Sequence, residues 1–235
     1  MGILSLRDVH AYYGKAHILQ GVSLDVEEGT VVGLFGRNGA GKTTLIRTIM
    51  NLVPRSLGEI EFQGRSLTGM TTDQRARAGL VYMAQDTRVF PDLTVRENCL
   101  AAQKAVSSDM SFESVLSEIP ELREHLDRRA GKLSGGQQQL VGFARSLLMN
   151  SRFFMLDEPT EGLMPLLVSR IGEIVRSLKK KSITVLIVEQ NVQLGMSVCD
   201  QIYFLEKGRI VDKASPSQIT ERQLLDRYLS ASHSN

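Results

Sequence analysis

The sequence predicts an α/β fold in which helices cover a mainly parallel sheet. Three apolar runs support this prediction, at residues 31–35, 153–156 and 184–188. Short runs that are apolar on both faces are typical of buried parallel strands. Between the second and third runs, apolar residues recur at helical spacing over residues 163–178. Strand, helix and strand therefore alternate, as they do in a parallel sheet covered by helices.

The first thirty residues have a different pattern. They alternate loosely between apolar and polar residues and carry turn signals at Gly14 and at residues 28–29. This pattern predicts short antiparallel strands, and hence an antiparallel β subdomain beside the parallel sheet. Residues 42–52 then carry an apolar stripe at helical spacing, which predicts a helix that ends before Pro54.

The middle of the chain is mainly helical in pattern. Thr94 and Glu97 have the spacing of a capping box, which opens a helix by satisfying backbone N–H groups reciprocally. Residues 113–119 and 135–150 also have helical patterns. We therefore predict a single domain over residues 1–235, with a core formed by residues 1–86 and 151–235 and an inserted α-helical subdomain over residues 87–150.

The composition is that of an ordinary globular protein and disfavours several classes of function. Hydrophobic residues make up 42% of the 235 residues and charged residues 23%, with a net charge of +2. This balance gives no sign of nucleic-acid binding. The sequence has no secretory signal and no apolar run of about 18 residues, so we expect no segment to span a bilayer. A role at a membrane would require another, membrane-embedded subunit.

A glycine-rich loop follows the first apolar run and fits the pattern G-x-x-x-x-G-K-[ST]. Glycines let backbone N–H groups approach phosphate oxygens closely, and the positive end of the following helix points at the same place. Lys42 is expected to reach the β- and γ-phosphates, and the Thr43 hydroxyl is expected to ligate Mg²⁺. The predicted nucleotide-binding residues of this segment are Gly36, Arg37, Asn38, Gly39, Ala40, Gly41, Lys42, Thr43 and Thr44.

Two adjacent carboxylates, Asp157 and Glu158, end the second apolar run. Charges at the end of a buried strand are costly unless they are compensated, and a bound Mg²⁺ and a polarised water would compensate them. We expect Asp157 to coordinate Mg²⁺ directly or through water, and Glu158 to orient and deprotonate the attacking water. Taken alone, the pair also fits an ordinary helix start, and the phosphate loop favours the catalytic interpretation.

Residues 133–137 read Leu-Ser-Gly-Gly-Gln and lie between the phosphate loop and the acidic pair. A hydroxyl and two glycines at a helix start can form a second anion site. With this ordered set of motifs, residues 4–212 resemble the ATPases of ABC transporters. The resemblance implies a P-loop NTPase core, RecA-like in fold, that binds ATP and Mg²⁺. It also implies a head-to-tail dimer in which one subunit closes over the ATP of the other with Ser134, Gly135, Gly136 and Gln137.

The resemblance assigns roles to further residues. It implies that Gln85 contacts Mg²⁺ or the attacking water, and that the helical region after it contacts a permease. Tyr13 matches an aromatic residue that stacks on adenine, with Tyr12 as a fallback, and either tyrosine also fits a packed strand residue. The residues that fit a permease contact and a solvated loop equally well are Arg88, Phe90 and Pro91.

Three segments narrow the resemblance to one group of importers. The phosphate loop, residues 157–163 and residues 188–191 look like the ATPases of branched-chain amino acid, urea and short-amide importers. Two positions depart from the general family pattern, since Met164 replaces an acidic residue and Gln190 replaces a histidine. An amide can donate a hydrogen bond but cannot carry charge near neutral pH. We therefore hypothesise slower hydrolysis here than at a site with histidine, although the importer group also has glutamine there.

The predicted function is ATP hydrolysis by a subunit of an ABC importer. The resemblance implies a peripheral location at the cytoplasmic face of the inner membrane. Its implied partners are a second ATPase subunit in a hetero- or homodimer, transmembrane permease subunits and, indirectly, a solute-binding protein. An export or lipid-extraction ATPase and a nucleotide-binding regulator with low turnover stay open as alternatives. An ABC ATPase of translation or DNA repair is disfavoured, because the sequence has neither a second ATPase half nor a long coiled-coil insertion.

Overall fold

A computed structural model describes residues 2–85, 89–106 and 108–224 of the chain. Its strands are β1 (Gly2–Tyr13), β2 (Ala16–Glu27), β3 (Val31–Phe35), β4 (Arg55–Phe62), β5 (Arg65–Ser66), β6 (Leu80–Met83), β7 (Phe153–Asp157), β8 (Thr184–Glu189), β9 (Gln201–Glu206) and β10 (Arg209–Ala214). Its α-helices are α1 (Lys42–Ile49), α2 (Thr72–Arg77), α3 (Val95–Ala105), α4 (Phe112–Glu118), α5 (Gly135–Leu148), α6 (Pro165–Lys180), α7 (Val192–Val198) and α8 (Glu221–Leu224).

The larger sheet has the strand order β10-β9-β3-β8-β7-β6. Neighbouring strands are parallel except at the edge, where β10 pairs with β9 in the antiparallel sense. The three apolar runs form β3, β7 and β8, which are buried over their whole length. The predicted mainly parallel sheet is therefore confirmed.

The smaller sheet is antiparallel, with the order β2-β1-β4-β5. The predicted antiparallel β subdomain is confirmed, but the prediction of short strands was wrong, because β1 and β2 each span 12 residues. Register shifts interrupt their pairing, one of them between Leu6 and Val9, where Asp8 has a φ of 48°. Each irregularity breaks the alternation of apolar and polar residues, so the sequence pattern of one long strand resembles that of several short strands.

Alternate residues of the larger sheet contribute to two apolar cores. On β7, Phe153 and Met155 pack into the core that β1, β2 and α1 share. Phe154 and Leu156 pack into the opposite core, which helices α3 to α7 share. Both faces of the sheet are therefore covered, and polar side chains can gather only where the strands end.

Capping boxes open α2, α3 and α5, and the box predicted at Thr94 and Glu97 is confirmed. The predicted helix over residues 42–52 ends earlier, at Ile49. Asn51 adopts a left-handed φ of 57°, a conformation that asparagine tolerates at helix ends and that stops the helix before Pro54.

Arg75 of α2 is buried and holds the end of α1. Its guanidinium donates to the carbonyls of Thr48 at 3.1 Å and Ile49 at 2.7 Å, and to those of Leu67 at 2.9 Å and Met70 at 3.2 Å. The last carbonyls of a helix lack the usual helical donor, and Arg75 supplies one to the buried Ile49 carbonyl. The carbonyls of Thr48, Leu67 and Met70 also accept from Asn51 or Met70. Burial lowers the pKa of Arg75, but a guanidinium stays ionised in proteins.

We expect Arg75→Ala to lower the free energy of unfolding by about 3 kcal/mol, because it takes away the donor of the buried Ile49 carbonyl and removes a large buried side chain. For a chain of this size, the melting temperature should fall by roughly 6–12 °C. Thermal unfolding followed by circular dichroism measures the change. Arg77→Ala is the matched control, because Arg77 is exposed on the same helix. Equal losses from both variants would contradict this account.

Candidate active site

The glycine-rich loop joins the end of β3 to the start of α1. Gly41 caps α1 with a left-handed φ of 109°, a conformation that residues with a Cβ rarely adopt. At Gly36, an added Cβ would lie 2.2 Å from the carbonyl oxygen of Leu205 on β9. Only glycine fits a backbone pressed so closely against the neighbouring strand. The two fixed glycines of the motif therefore hold the loop in its shape.

Lys42 lies at the centre of the loop and is only 4% exposed. Its ammonium donates to the carbonyl oxygens of Gly36 at 2.9 Å and Arg37 at 3.3 Å. It also forms an ion pair with Glu158, with 3.2 Å between Nζ and Oε1. The phosphate loop and the acidic strand end are therefore in direct contact.

Asp157 ends β7 and uses both carboxylate oxygens. The Thr43 hydroxyl donates to Oδ1 at 3.0 Å, and the Tyr82 hydroxyl of β6 donates to Oδ2 at 3.0 Å. Burial raises the pKa of the Asp157 carboxyl, and the neighbouring charge of Glu158 raises it further, whereas the two hydrogen bonds lower it. The predicted metal-binding residues Thr43 and Asp157 are thus brought together.

Glu158 has a φ of 46°, in the left-handed region that glutamate rarely adopts. Its backbone N–H donates to the Val188 carbonyl of β8 at 2.9 Å, which fixes the turn. Its Oε1 accepts a hydrogen bond from the Gln190 amide at 2.9 Å. The same Gln190 nitrogen donates to Asn38 Oδ1 in the phosphate loop at 2.7 Å. Gln190 therefore bridges the loop and the strand-end glutamate.

Gln85 follows β6 and donates to the Glu161 carboxylate. Both residues line an open cavity of about 490 Å³ together with the phosphate loop. The cavity thus brings Gln85 and Glu158 together with residues of the phosphate loop at one end of the larger sheet. Its lining residues are Ile18, Asn38, Gly39, Gly41, Lys42, Thr43, Thr44, Gln85, Glu158 and Glu161.

The predicted second anion site opens α5. Ser134 is the N-cap residue, and its hydroxyl accepts from the Gln137 backbone N–H at 3.3 Å. Gly135 faces open space, whereas Gly136 packs against Leu167 of α6. None of these residues lines the cavity beside the phosphate loop. The two predicted phosphate sites are therefore separate on one chain.

The predicted adenine contact, Tyr13, is partly exposed at the end of β1 and does not line the cavity. The Arg47 guanidinium of α1 interacts with Tyr82 and with Tyr13. The fallback residue, Tyr12, stacks on His17 with 4.4 Å between ring centroids. Tyr12 is thus already packed, which leaves Tyr13 as the better candidate.

Of the predicted permease-contact residues, Phe90 is half exposed, and the Arg145 guanidinium lies 4.5 Å from its ring centroid. The Pro91 carbonyl accepts from the Gly131 backbone N–H at 2.9 Å. Arg88 lies outside the described residues. Phe90 and Pro91 are thus both exposed in the described part of this set.

The site fits a magnesium nucleotide. When a magnesium nucleotide is bound, the Thr43 hydroxyl, the Asp157 carboxylate and the Gln85 amide would supply oxygen ligands, and Lys42 would supply a cation for phosphate. Across the described ranges, no three His, Cys, Asp or Glu side chains form a metal-binding group. Mg²⁺ commonly takes only one or two protein oxygens, together with substrate phosphates and waters.

Strand β8 separates β3, which leads into the loop, from β7, which ends in the two carboxylates. Lys42 and Thr43 nevertheless reach Glu158 and Asp157. Phosphoryl transfer from a nucleotide needs a phosphate-binding cation, metal ligands and a base to meet in this way. The fold and the site thus define a P-loop ATPase.

Comparison with known proteins identifies the family. Residues 19–161, more than half of the chain, match the model of the ABC transporter family, and the chain belongs to that family. It is an ATP-hydrolysing subunit of a transporter. In the described part of the chain, no helix combines the length and the apolar character that crossing a membrane requires.

Two curated relatives and a solved structure illustrate the similarity. The high-affinity branched-chain amino acid transport ATP-binding protein BraG of Pseudomonas aeruginosa is 36% identical, over 97% of this chain and 99% of its own length. The lipopolysaccharide export system ATP-binding protein LptB of Acidithiobacillus ferridurans is 35% identical, over 93% of this chain and 92% of its own. A nucleotide-free ATP-binding cassette from an ABC transporter aligns with a TM-score of 0.84 and 28% identity, covering 97% of this chain and 96% of its own.

Sequence reasoning missed several residues of the site. Tyr82 and Glu161 contact predicted site residues, and Glu189 accepts hydrogen bonds from the loops on both sides. A tyrosine in an otherwise apolar strand, three residues before Gln85, was the available signal for Tyr82. The contacts of Glu161 and Glu189 carried no comparable local signal.

The raised pKa of Asp157 predicts how this residue affects stability. A carboxyl whose pKa is raised on folding contributes stability only below its unfolded pKa of about 4, and loses it as pH rises through the folded pKa. At pH 7 the ionised side chain is therefore destabilising. We expect Asp157→Asn to raise the melting temperature at pH 7, and the gain to shrink as pH falls toward about 4.

Asp73→Asn is the matched control for this prediction. Asp73 is exposed, and a hydrogen bond from Thr71 lowers its pKa. Its stabilising effect is present above the unfolded pKa and is lost on acidification, so its replacement should change stability in the opposite direction. Thermal melts from pH 4 to pH 8 measure both variants. Destabilisation at pH 7 by Asp157→Asn would contradict the expectation.

Proposed function

We propose that this chain is the ATPase of an importer for small solutes, with branched-chain amino acids first, then urea and short amides. The observation that carries the proposal is Gln190, which lies within hydrogen-bond distance of Glu158 and Asn38. Its position matches the glutamine of the importer group that residues 188–191 resemble. The near full-length similarity to BraG supports the same assignment.

In the proposed reaction, Glu158 is the general base that accepts a proton from the attacking water. Lys42 binds the β- and γ-phosphates, so nucleotide binding exchanges its carbonyl and carboxylate partners for phosphate and releases Glu158. Thr43, Asp157 and Gln85 would hold Mg²⁺, which neutralises phosphate charge when bound. Gln190 donates a hydrogen bond toward the γ-phosphate, and Tyr13 stacks on adenine.

We propose that two ATPase subunits, identical or different, close head to tail over two nucleotides. The separation of the signature residues from the cavity supports this, because Ser134 and Gly135 then need a second subunit to reach phosphate. Gly135 offers open space at the helix start, as an approaching nucleotide requires.

The permease contact is proposed for the helical subdomain, residues 87–150. A cavity of about 300 Å³ lies between β6 and helices α3 and α5, next to the strand that leads to Gln85. Phe90 and Leu100 of this subdomain expose apolar surface, as does Leu52 of the core, which lines the same cavity. A membrane-embedded permease docked here would place the chain at the cytoplasmic face of the membrane, with a solute-binding protein on the opposite side.

An export ATPase is the second candidate. The similarity to LptB favours it, because the identity and coverage are close to those for BraG. The relatives therefore support transport in either direction, and the importer assignment depends on the resemblance around Gln190.

We expect Glu158→Gln to abolish steady-state phosphate release while ATP binding is retained. A neutral amide cannot accept the proton, but Lys42 and the loop still bind phosphate. Phosphate release by the assembled complex and nucleotide binding measure the two effects. Glu206→Gln is the control, because it neutralises an exposed carboxylate at the end of β9 that does not line the cavity. Full turnover by Glu158→Gln would show that Glu158 is not the general base.

We expect Gln190→His to raise kcat about fivefold, because a cationic donor stabilises developing phosphate charge better than a neutral one. The gain should be larger below pH of about 6.5, where histidine is protonated, than above it. Gln193→His adds histidine to the exposed surface of α7 and should change nothing. If the turnover of Gln190→His matches that of wild type at every pH, the hypothesis that Gln190 slows hydrolysis is wrong.

Transport direction can be tested in proteoliposomes that hold the permease, the ATPase subunits and, in the lumen, the solute-binding protein with labelled leucine. Import predicts that ATP added outside, where the ATPases lie, drives leucine out of the lumen. The Glu158→Gln complex should not release it. Urea and acetamide, tested in the same way, separate the cargo classes. Transfer of labelled lipopolysaccharide to an acceptor, without solute movement, would favour export.

A further inference from the structure

Glu189 is the last residue of β8 and is only 3% exposed. Burying a carboxylate is costly unless hydrogen bonds replace its water. Its Oε1 accepts from the Thr160 backbone N–H at 3.0 Å and from the Thr160 hydroxyl at 2.6 Å. Its Oε2 accepts from the backbone N–H groups of Gln190 at 3.0 Å and Asn191 at 3.1 Å. One side chain thus receives four donors.

The two oxygens are divided between two loops. Thr160 belongs to the turn that begins at Glu158, and Gln190 and Asn191 lead from β8 into α7. These loops carry the two side chains that meet at 2.9 Å, Glu158 Oε1 and the Gln190 amide. The Glu189 carboxylate therefore fixes the backbone on both sides of that contact.

The donor set favours an ionised carboxylate. Three of the four partners are backbone N–H groups, which can only donate, and a carboxylate has two oxygens that accept without donating. A glutamine here would turn an NH₂ group toward one pair of donors and release one of the two loops. The neutral replacement keeps the size of the side chain, so it tests the hydrogen bonds rather than the packing.

We propose that Glu189 is a positioning residue for ATP hydrolysis, which holds the Glu158 turn and the Gln190 loop in register. The proposal rests on the roles proposed above for Glu158 and Gln190. Phosphate binding depends on Lys42 and the glycine-rich loop. None of the four hydrogen bonds of Glu189 involves either of them. Loss of the carboxylate therefore slows the chemical step and leaves ATP affinity intact.

The test compares kcat and the ATP dissociation constant for Glu189→Gln in the assembled complex. We expect kcat to fall by about tenfold or more, as misplacing a catalytic group does, and the dissociation constant to stay within twofold. Asp200→Asn is the matched control. Asp200 also accepts a backbone N–H, from Val31 at 2.9 Å, but at the opposite end of the sheet. Its replacement should leave kcat unchanged.

A double variant separates positioning from general destabilisation. If Glu189 acts through Gln190, adding Glu189→Gln to Gln190→Ala should slow turnover little further, because the contact is already lost. Three outcomes would overturn the proposal. The losses of kcat in the two single variants could multiply in the double variant. Alternatively, Glu189→Gln could keep the wild-type kcat, or it could lose ATP affinity in parallel with kcat. Thr160→Val, which removes only the hydroxyl donor, gives a milder loss of kcat and serves if Glu189→Gln does not fold.

Glu158→Gln, measured in the same assay, separates the proposed role of Glu158 as general base from the proposed positioning role of Glu189. Turnover in Glu158→Gln would overturn the proposed mechanism, and with it the basis for Glu189. A silent Glu158→Gln combined with a fully active Glu189→Gln would overturn the positioning role alone.

Discussion

One buried ammonium and two buried carboxylates at the end of a parallel sheet are the constraint on which the rest of the structure depends. Lys42, Asp157 and Glu158 are each less than 10% exposed. Charges so poorly hydrated must be compensated by fixed partners. The carbonyls of the glycine-rich loop, the hydroxyls of Thr43 and Tyr82 and the Gln190 amide supply that compensation. The same compensation fixes the geometry that phosphoryl transfer needs.

The architecture brings these groups together from distant parts of the chain. Parallel strands present their carboxyl ends at one edge, so the loops after β3, β7 and β8 converge there. Apolar cores on both faces hold the strands in place. Glu189 then ties the loops after β7 and β8 to each other, which makes the active end of the sheet one connected hydrogen-bonded unit.

Much of this could be predicted from the sequence, because the signals are local. An apolar run followed by glycines and a lysine predicts a strand, a phosphate loop and a helix, and Thr94 with Glu97 predicts a helix start. The partners of the site residues could not be predicted. Gln190 and Asn38 are 152 residues apart, and Tyr82 and Asp157 are 75 apart. Such contacts depend on strand order, which no short-range pattern encodes, and the bulges in β1 concealed its length in the same way.

The burial of carboxylates has a practical consequence for protein engineering. Burial raises the pKa of Asp157, so a neutral replacement at this position relieves a desolvation cost. A library selected only for heat tolerance would accumulate such replacements, because stabilising changes at functional sites are easy to find and costly to activity. Selection for a robust transporter component therefore has to include catalytic turnover at every round.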